Sequence, residues 1–204
     1  KFHALNQKAV ARRAAKALAR SYEELNLIVA HMGGGISIGA HKKGLVVDVN
    51  NALDGEGPMT PERSGTLPVG DLVRLCYSGR YSEKELLQMV KGSGGLRAHL
   101  GTTDARKVEE RVKDGDKKAE LVFKALAYQI AKSICALMAT FSGEIDAIVL
   151  TGGMAHSELL TTWIKGRVDF LAPVLVYPGE SEMEALAQGA LRVLEGEESA
   201  RQYA

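Results

Sequence analysis

Residues 31–39 read HMGGGISIG, three consecutive glycines between an apolar run and an alternating one. Glycine costs conformational entropy, so a triplet inside β-like sequence needs a reason. Such a corner between antiparallel strands can direct successive N–H groups at a phosphate with no side chain in the way, or it can be a simple hairpin bend. His31 stands at its mouth, placed either to hydrogen-bond a phosphoryl oxygen or to serve as a satisfied structural histidine. The loop DGEGPMTPERSGTLP (54–68) carries one basic residue, Arg63, between Pro61 and Pro68. Rigid flanks suggest a held guanidinium suited to bidentate contact with carboxylate or phosphate; a plain surface arginine is the alternative. The glycines of LTGG (150–153) let a ligand approach the backbone and a helix N-terminus, or serve chain reversal alone. PGESEMEALA brings Glu180, Glu182 and Glu184 to the start of the last helix. The helix dipole explains acids there, and the sharper reading is that one of them positions a magnesium ion, directly or through water. There is no GxGxxG fingerprint and no GxxxxGK[ST] phosphate loop, so any nucleotide is held by a different device.

The elements around these residues follow from periodicity. Asn6 to about Glu24 reads as a basic, alanine-rich helix with an apolar stripe at Val10, Ala14, Ala17 and Leu18. LNLIVAHM (25–32) is a buried strand; ISIGAH and GLVVDVNN are two more, joined by a turn at Lys42, Lys43 and Gly44. After the proline-containing loop come a short helix from Val69 to Tyr77 and one capped by the Ser82/Glu85 box and ended by Gly92. GSGGLRAHLGTTD (92–104) reads as a glycine-rich loop before a charged helix from Asp104 to Lys113. Lys117 to Phe141 is the longest helix, with Val122, Leu126, Ile130, Ile134, Leu137 and Phe141 on its core face. Strands at 144–153 and 172–179 and a final amphipathic helix at 180–196 complete the chain. A hairpin followed by helices alternating with single strands predicts an α/β fold, a mixed sheet flanked by helices.

With 204 residues and 46% hydrophobic content, the chain can bury one or two cores. A net charge of +1, from 26 basic and 25 acidic residues, carries no footprint of a nucleic-acid binder. Cys76 and Cys135 fit no metal or redox spacing and read as buried free thiols in a reducing compartment. No apolar run approaches the ~18 residues of a membrane span and no signal peptide is visible, so a soluble, cytoplasmic class is expected. The chain begins KFHALNQ without an initiator methionine, and a truncated N-terminus is expected.

The motifs and their order resemble the nucleotide-binding half of the acetate/butyrate kinase family. The likeness is strongest to butyrate kinases and branched-chain fatty-acid kinases. It rests on FHALNQKAVAR (2–12), AHMGGGISIGAH (30–41), DGEGPMTPERSGTLP (54–68), VLTGGMAHS (149–157) and YPGESEMEALAQGALRVL (177–194). The resemblance implies a ribonuclease-H-like fold, shared with actin, sugar kinases and chaperone ATPases, and reversible phosphoryl transfer from ATP to a short-chain carboxylate. It implies a phosphate loop from His31 to Ser37, with Gly33, Gly34 and Gly35 at its centre. His3 matches a histidine at the transferring phosphoryl group, and Arg63 the catalytic arginine. Asp104 and Arg106 fall near the adenosine, and Gly152, Gly153 and Met154 beside the nucleotide. The magnesium-associated glutamate falls on Glu182, with Glu184 the alternative. ATP/ADP, Mg²⁺, a small carboxylate and a homo-oligomer, dimer or higher, are the expected partners; nucleic acid and membrane are not.

The same likeness implies that the chain is the C-terminal part of a two-domain enzyme and is inactive by itself. Residues 1–24 would belong to the preceding domain or the interdomain region, and 25–204 to the nucleotide-binding domain, with a helical insert at about 69–115. Acetate or propionate is the alternative substrate. Readings of another kind are a non-catalytic ATP-binding domain of the actin or chaperone type, which needs neither Arg63 nor His3, and a sugar kinase, which wants an aspartate base.

Overall fold

The strand β1, Asn26–Met32, is apolar at nearly every position because helices cover both of its faces. The computed structural model describes residues 2–180 and 182–200; residue 1, residue 181 inside the expected last helix, and residues 201–204 lie outside the described residues. β1 pairs antiparallel with β2, Ile36–Lys42, which pairs antiparallel with β3, Leu45–Val49. On its other edge β1 runs parallel to β4, Ala147–Gly152, and β4 to β5, Val174–Pro178. The described sheet therefore has five strands in the order β3-β2-β1-β4-β5. The β2–β3 turn places Lys43 and Gly44 at positive φ, 49° and 83°, the backbone of a tight hairpin whose twist suits the strands.

Strand alternation sorts β1 into two faces. Ile28, Ala30 and Met32 join one core with α6, Lys117–Leu137, and α7, Glu158–Val168; Leu27 and Val29 join a second core with α1, Ala4–Ala17. The continuation of α6 to Phe141 makes 25 residues long and apolar enough to cross a membrane, contrary to the expectation that no run approaches that length. Its stripe of Val122, Leu126, Ile130 and Ile134 is buried in the first core, the place of a central helix.

The first helix differs from its expected extent. It starts at Ala4 and ends at Ala17, where Ala19 turns left-handed (φ 53°) so that Tyr22 can fold back under β2 and donate to His41. Ala17, assigned to the apolar stripe, is exposed; the buried face is Asn6, Gln7, Val10, Ala11, Ala14 and Ala15. Between β3 and α6 the insert holds α2, Val69–Cys76, α3, Glu83–Val90, α4, Gly95–Leu100, and α5, Ala105–Lys113. Ser82 and Glu85 form the expected capping box on α3. The loop expected over 92–104 contains α4 instead. The cysteines are not both buried: α2 has no buried residue, leaving Cys76 exposed, and Cys135 is only half-buried. The last helix, α8, is Glu182–Leu194.

Candidate active site

The end of β1 gathers candidate residues because alternation, continued past Val29, puts His31 on the α1 face beside its register partners Ser37 and Thr151. The N-terminus of α1 arrives at the same place and stacks His3 on His31, ring centroids 3.9 Å apart and planes at 19°. His31 is fully buried; its Nδ1 lies 2.9 Å from Asn6 Oδ1, and its Nε2 has no hydrogen-bond partner. Burial, reinforced by neighbouring His3, lowers the His31 pKa to about 3, so the ring is neutral. Burial also lowers the His3 pKa, against a raising influence from Glu180, with Arg63 lowering it further and Glu182 raising it. Glu180 Oε1 stands 3.1 Å from His31 Nε2, out of line for a hydrogen bond, and against a neutral ring this is no ion pair.

The glycine corner is shaped by space, not by unusual dihedrals, since none of Gly33, Gly34 and Gly35 has positive φ. A Cβ at Gly35 would strike the Arg63 guanidinium, one at Gly33 would crowd Glu180 and His31, and Gly34 faces open space. Gly33 N–H is already donated to Gly35 C=O at 3.0 Å, which corrects the expectation of three free amides; Gly34 and Gly35 N–H have no acceptor among the described residues. Ser37 is likewise occupied, fully buried with its Oγ turned to His3 and Gln7.

Arg63 is a held side chain, 14% exposed, donating through Nη1 to Ala52 C=O while its buried Nε has no partner. The loop that carries it is tied to the corner by Thr60, whose hydroxyl donates to Gly34 C=O at 2.8 Å and accepts from the Glu62 and Arg63 N–H groups. α4 supports the loop from below: Leu96 N–H donates to Thr60 C=O and Arg97 N–H to Pro61 C=O, at 3.1 and 3.0 Å. Gly94 and Gly95 are glycine because any Cβ there would run into the backbone of residues 60–64. The glycines that suggested a loop are thus the docking surface of a short helix.

The remaining predicted residues are dispersed. Gly152, at φ 90°, abuts the Met32 backbone and exchanges N–H···O bonds with Gly179; only Gly153 is open, and the Met154 side chain is buried in the core. Asp104 caps α5 and pairs with exposed Arg106, a local arrangement making no hydrogen bond to His3, His31 or Arg63. Glu182 is close enough to His3 to influence its titration, whereas Glu184 accepts from Gln188 and lines a groove between α1 and α8. Glu180, read from sequence as one of three first-turn acids of which one positions magnesium, stands instead against His31 and Gly33, and Thr60 is a residue the motifs missed. A threonine three residues before an arginine, able to accept its N–H, was the available signal for Thr60.

Arg63 Nε, a buried donor with no partner, beside an open glycine backbone fits an anion such as a phosphoryl group; His31, whose Nδ1–H faces the accepting Asn6 Oδ1, presents a bare Nε2 and offers no donor there. Among the described residues no three metal-binding side chains converge. A single carboxylate is enough for Mg²⁺ held largely by phosphates and water.

Residues 1–163 match the profile of the acetokinase family. The chain is similar to the crystal structure of Porphyromonas gingivalis acetate kinase, with 25% identity, TM-score 0.86, and coverage of 95% of this chain and 55% of that one. It is similar to a propionate kinase from Francisella tularensis, with 25% identity, TM-score 0.83, and coverage of 92% and 54%. A ROK family protein from Streptococcus pneumoniae, at 13% identity and TM-score 0.58 over 94% of this chain and 65% of that one, shares the fold alone. The mixed sheet flanked by helices is thus the ribonuclease-H-like fold common to acetate kinase and ROK sugar kinases. The chain spans just over half the length of the acetate and propionate kinases it matches.

Proposed function

The chain belongs to the acetokinase family, and from that premise we propose that the whole protein is a short-chain carboxylate kinase. It transfers the γ-phosphoryl of ATP to a carboxylate, giving an acyl phosphate and ADP, and catalyses the reverse. One observation carries this reading: His3, His31 and Arg63 gather at an open glycine corner where the buried Arg63 Nε–H has no partner.

A carboxylate oxygen attacks the γ-phosphorus in line; the new O–P bond forms as the bond to the β-bridging oxygen breaks, and ADP leaves with that electron pair. A carboxylate is already ionised near neutral pH, so no base has to remove a proton, and positioning with charge stabilisation supplies the catalysis. Arg63 and the His3 ring face the equatorial oxygens, and the Gly34 and Gly35 N–H groups take phosphate oxygens. Glu182 is the residue that would hold Mg²⁺, which when bound neutralises charge between the β- and γ-phosphates. Arg106 and Asp104 at the α5 N-terminus, with Gly153, form the nucleotide side, and a homo-oligomer is the expected assembly.

Butyrate or a branched-chain acid is the proposed substrate, supported by the segments around His3, the glycine corner and Glu180. ADP release from ATP with butyrate, isobutyrate, acetate or propionate tests it, on this chain and on a version extended at its N-terminus. The expected result is no turnover by this chain and highest kcat/KM for butyrate or isobutyrate in the extended protein. Preference of the extended protein for acetate or propionate would overturn the substrate, and its failure to turn over any of the acids would overturn the kinase.

A further inference from the structure

Gln7 lies fully buried on α1, and its partners leave one orientation for its amide. Ser37 C=O, which can only accept, is 3.0 Å from Gln7 Nε2, so that atom is the nitrogen and Oε1 faces His41 Nε2 at 3.0 Å. The second Nε2 hydrogen goes to Ser37 Oγ at 2.8 Å. Having accepted there, the Ser37 hydroxyl has its own proton to give, and His3 Nδ1 at 2.9 Å is the acceptor; the other contact of Oγ is the His3 backbone N–H, itself a donor. His3 Nδ1 therefore carries a lone pair, and the neutral ring holds its proton on Nε2.

The far end of the chain agrees. His41 donates from Nε2 to Gln7 Oε1, which leaves Nδ1 to accept from the Tyr22 hydroxyl at 2.7 Å. Burial pushes the Tyr22 phenol up to about 12, so that donor keeps its proton. Tyr22, His41, Gln7 and Ser37 form one directed series of hydrogen bonds ending at His3. Room for it exists because residue 39 is glycine: a Cβ there would strike Gln7 Oε1.

We propose that Gln7 is a positioning residue for phosphoryl transfer, holding His3 through Ser37 in the Nε2–H form so that the ring offers a donor to the transferring group. Phosphoryl oxygens only accept, so the opposite tautomer would aim a lone pair at an anion. No described residue hydrogen-bonds His3 Nε2, while Glu180, Arg63 and Glu182 all act on the ring, which places it at the charged end of the site. The transfer role rests on the carboxylate-kinase reading; the proton assignment does not.

The test uses the full-length protein with ¹⁵N-labelled histidine rings, the His3 signals identified by their loss in His3→Asn. His3 is expected protonated at Nε2 and bare at Nδ1 near pH 7.5. Gln7→Leu frees the Ser37 hydroxyl and is expected to move proton density to Nδ1. In the same variant kcat should fall about tenfold to a hundredfold, the range for losing a hydrogen bond to a charged group. KM for ATP should stay within about twofold. Ser37→Ala, which keeps the Gln7 bond to the strand carbonyl, should give the same tautomer change and covers a failure of Gln7→Leu to fold. A proton on Nδ1 in the unaltered protein would overturn the proposal. So would variants that lose kcat with the tautomer unchanged, or that lose the tautomer with kcat unchanged. Absence of carboxylate-kinase turnover in the unaltered protein would instead sink the functional reading and with it the transfer role, while the ring nitrogens would still decide whether Gln7 sets His3.

Discussion

The two faces of the sheet are built from alternate residues of the same strands and do different work. On the α6 face Ile28, Ala30, Met32, Ile148 and Leu150 meet Phe123, Leu126 and Ile130, all apolar and all buried. On the α1 face Leu27, Val29 and Val149 begin in the same way, but towards the strand ends the face turns polar with His31, Ser37 and Thr151. Apolar contact is non-directional and roughly proportional to area, so it stabilises without specifying orientation. A hydrogen bond is directional and contributes little net stability, yet it fixes a ring or an amide in one state. One face holds the domain together; the other aims its side chains.

That division can be broken by experiment. Phe123, fully buried and edge-on to Trp163 at 6.0 Å, belongs to the first face. Phe123→Ala should cost about 3–5 kcal/mol of stability in urea unfolding, with kcat per folded molecule within about twofold in the full-length enzyme. A large loss of kcat in the folded fraction would show that the faces are not independent. Arg63→Ala should do the reverse, lowering kcat by about 10²-fold or more with far less loss of stability than Phe123→Ala. Near-normal turnover by hydroxamate trapping would remove Arg63 from the chemistry.

A third effect is that of pH on the polar face. Burial lowers His31 to about 3 and His41 to about 4, from 6.5 in the unfolded chain. Between those values the unfolded state binds more protons than the folded one. Stability is therefore full above pH 6.5 and falls as pH drops towards 4, by at most about 1.4 kcal/mol per pH unit for each histidine. Urea midpoints at pH 7.5 and 5 measure this, and His41→Asn should flatten the slope. Equal midpoints at both pH values would show that the two rings are not held neutral.

Much of the frame was legible because the signals were local. Ser82 with Glu85 announces a capping box, Lys43-Gly44 a tight turn, and the stripe of α6 its buried face. The first helix stops at Ala17 despite good helix formers beyond it, because Tyr22 is needed under His41, a demand that local propensity does not contain. α4 was hidden by its glycines, whose reason is the backbone of residues 60–64 some thirty positions earlier. In the site, His31, Gly34 and Arg63 stood out as residue types in marked places. Gln7 and Asn6 did not, since each acquires meaning only from a partner across the fold, Ser37 or His31.

The Thr60 hydroxyl, bonded to Gly34 C=O on one side and the Arg63 N–H on the other, has a consequence for the cost of binding. The loop that carries Arg63 and the glycine corner form one rigid piece, further braced by α4, so the entropy of bringing a guanidinium to the corner is spent when the chain folds. An anion docking there meets a site already assembled, and more of its contact energy remains to appear as affinity.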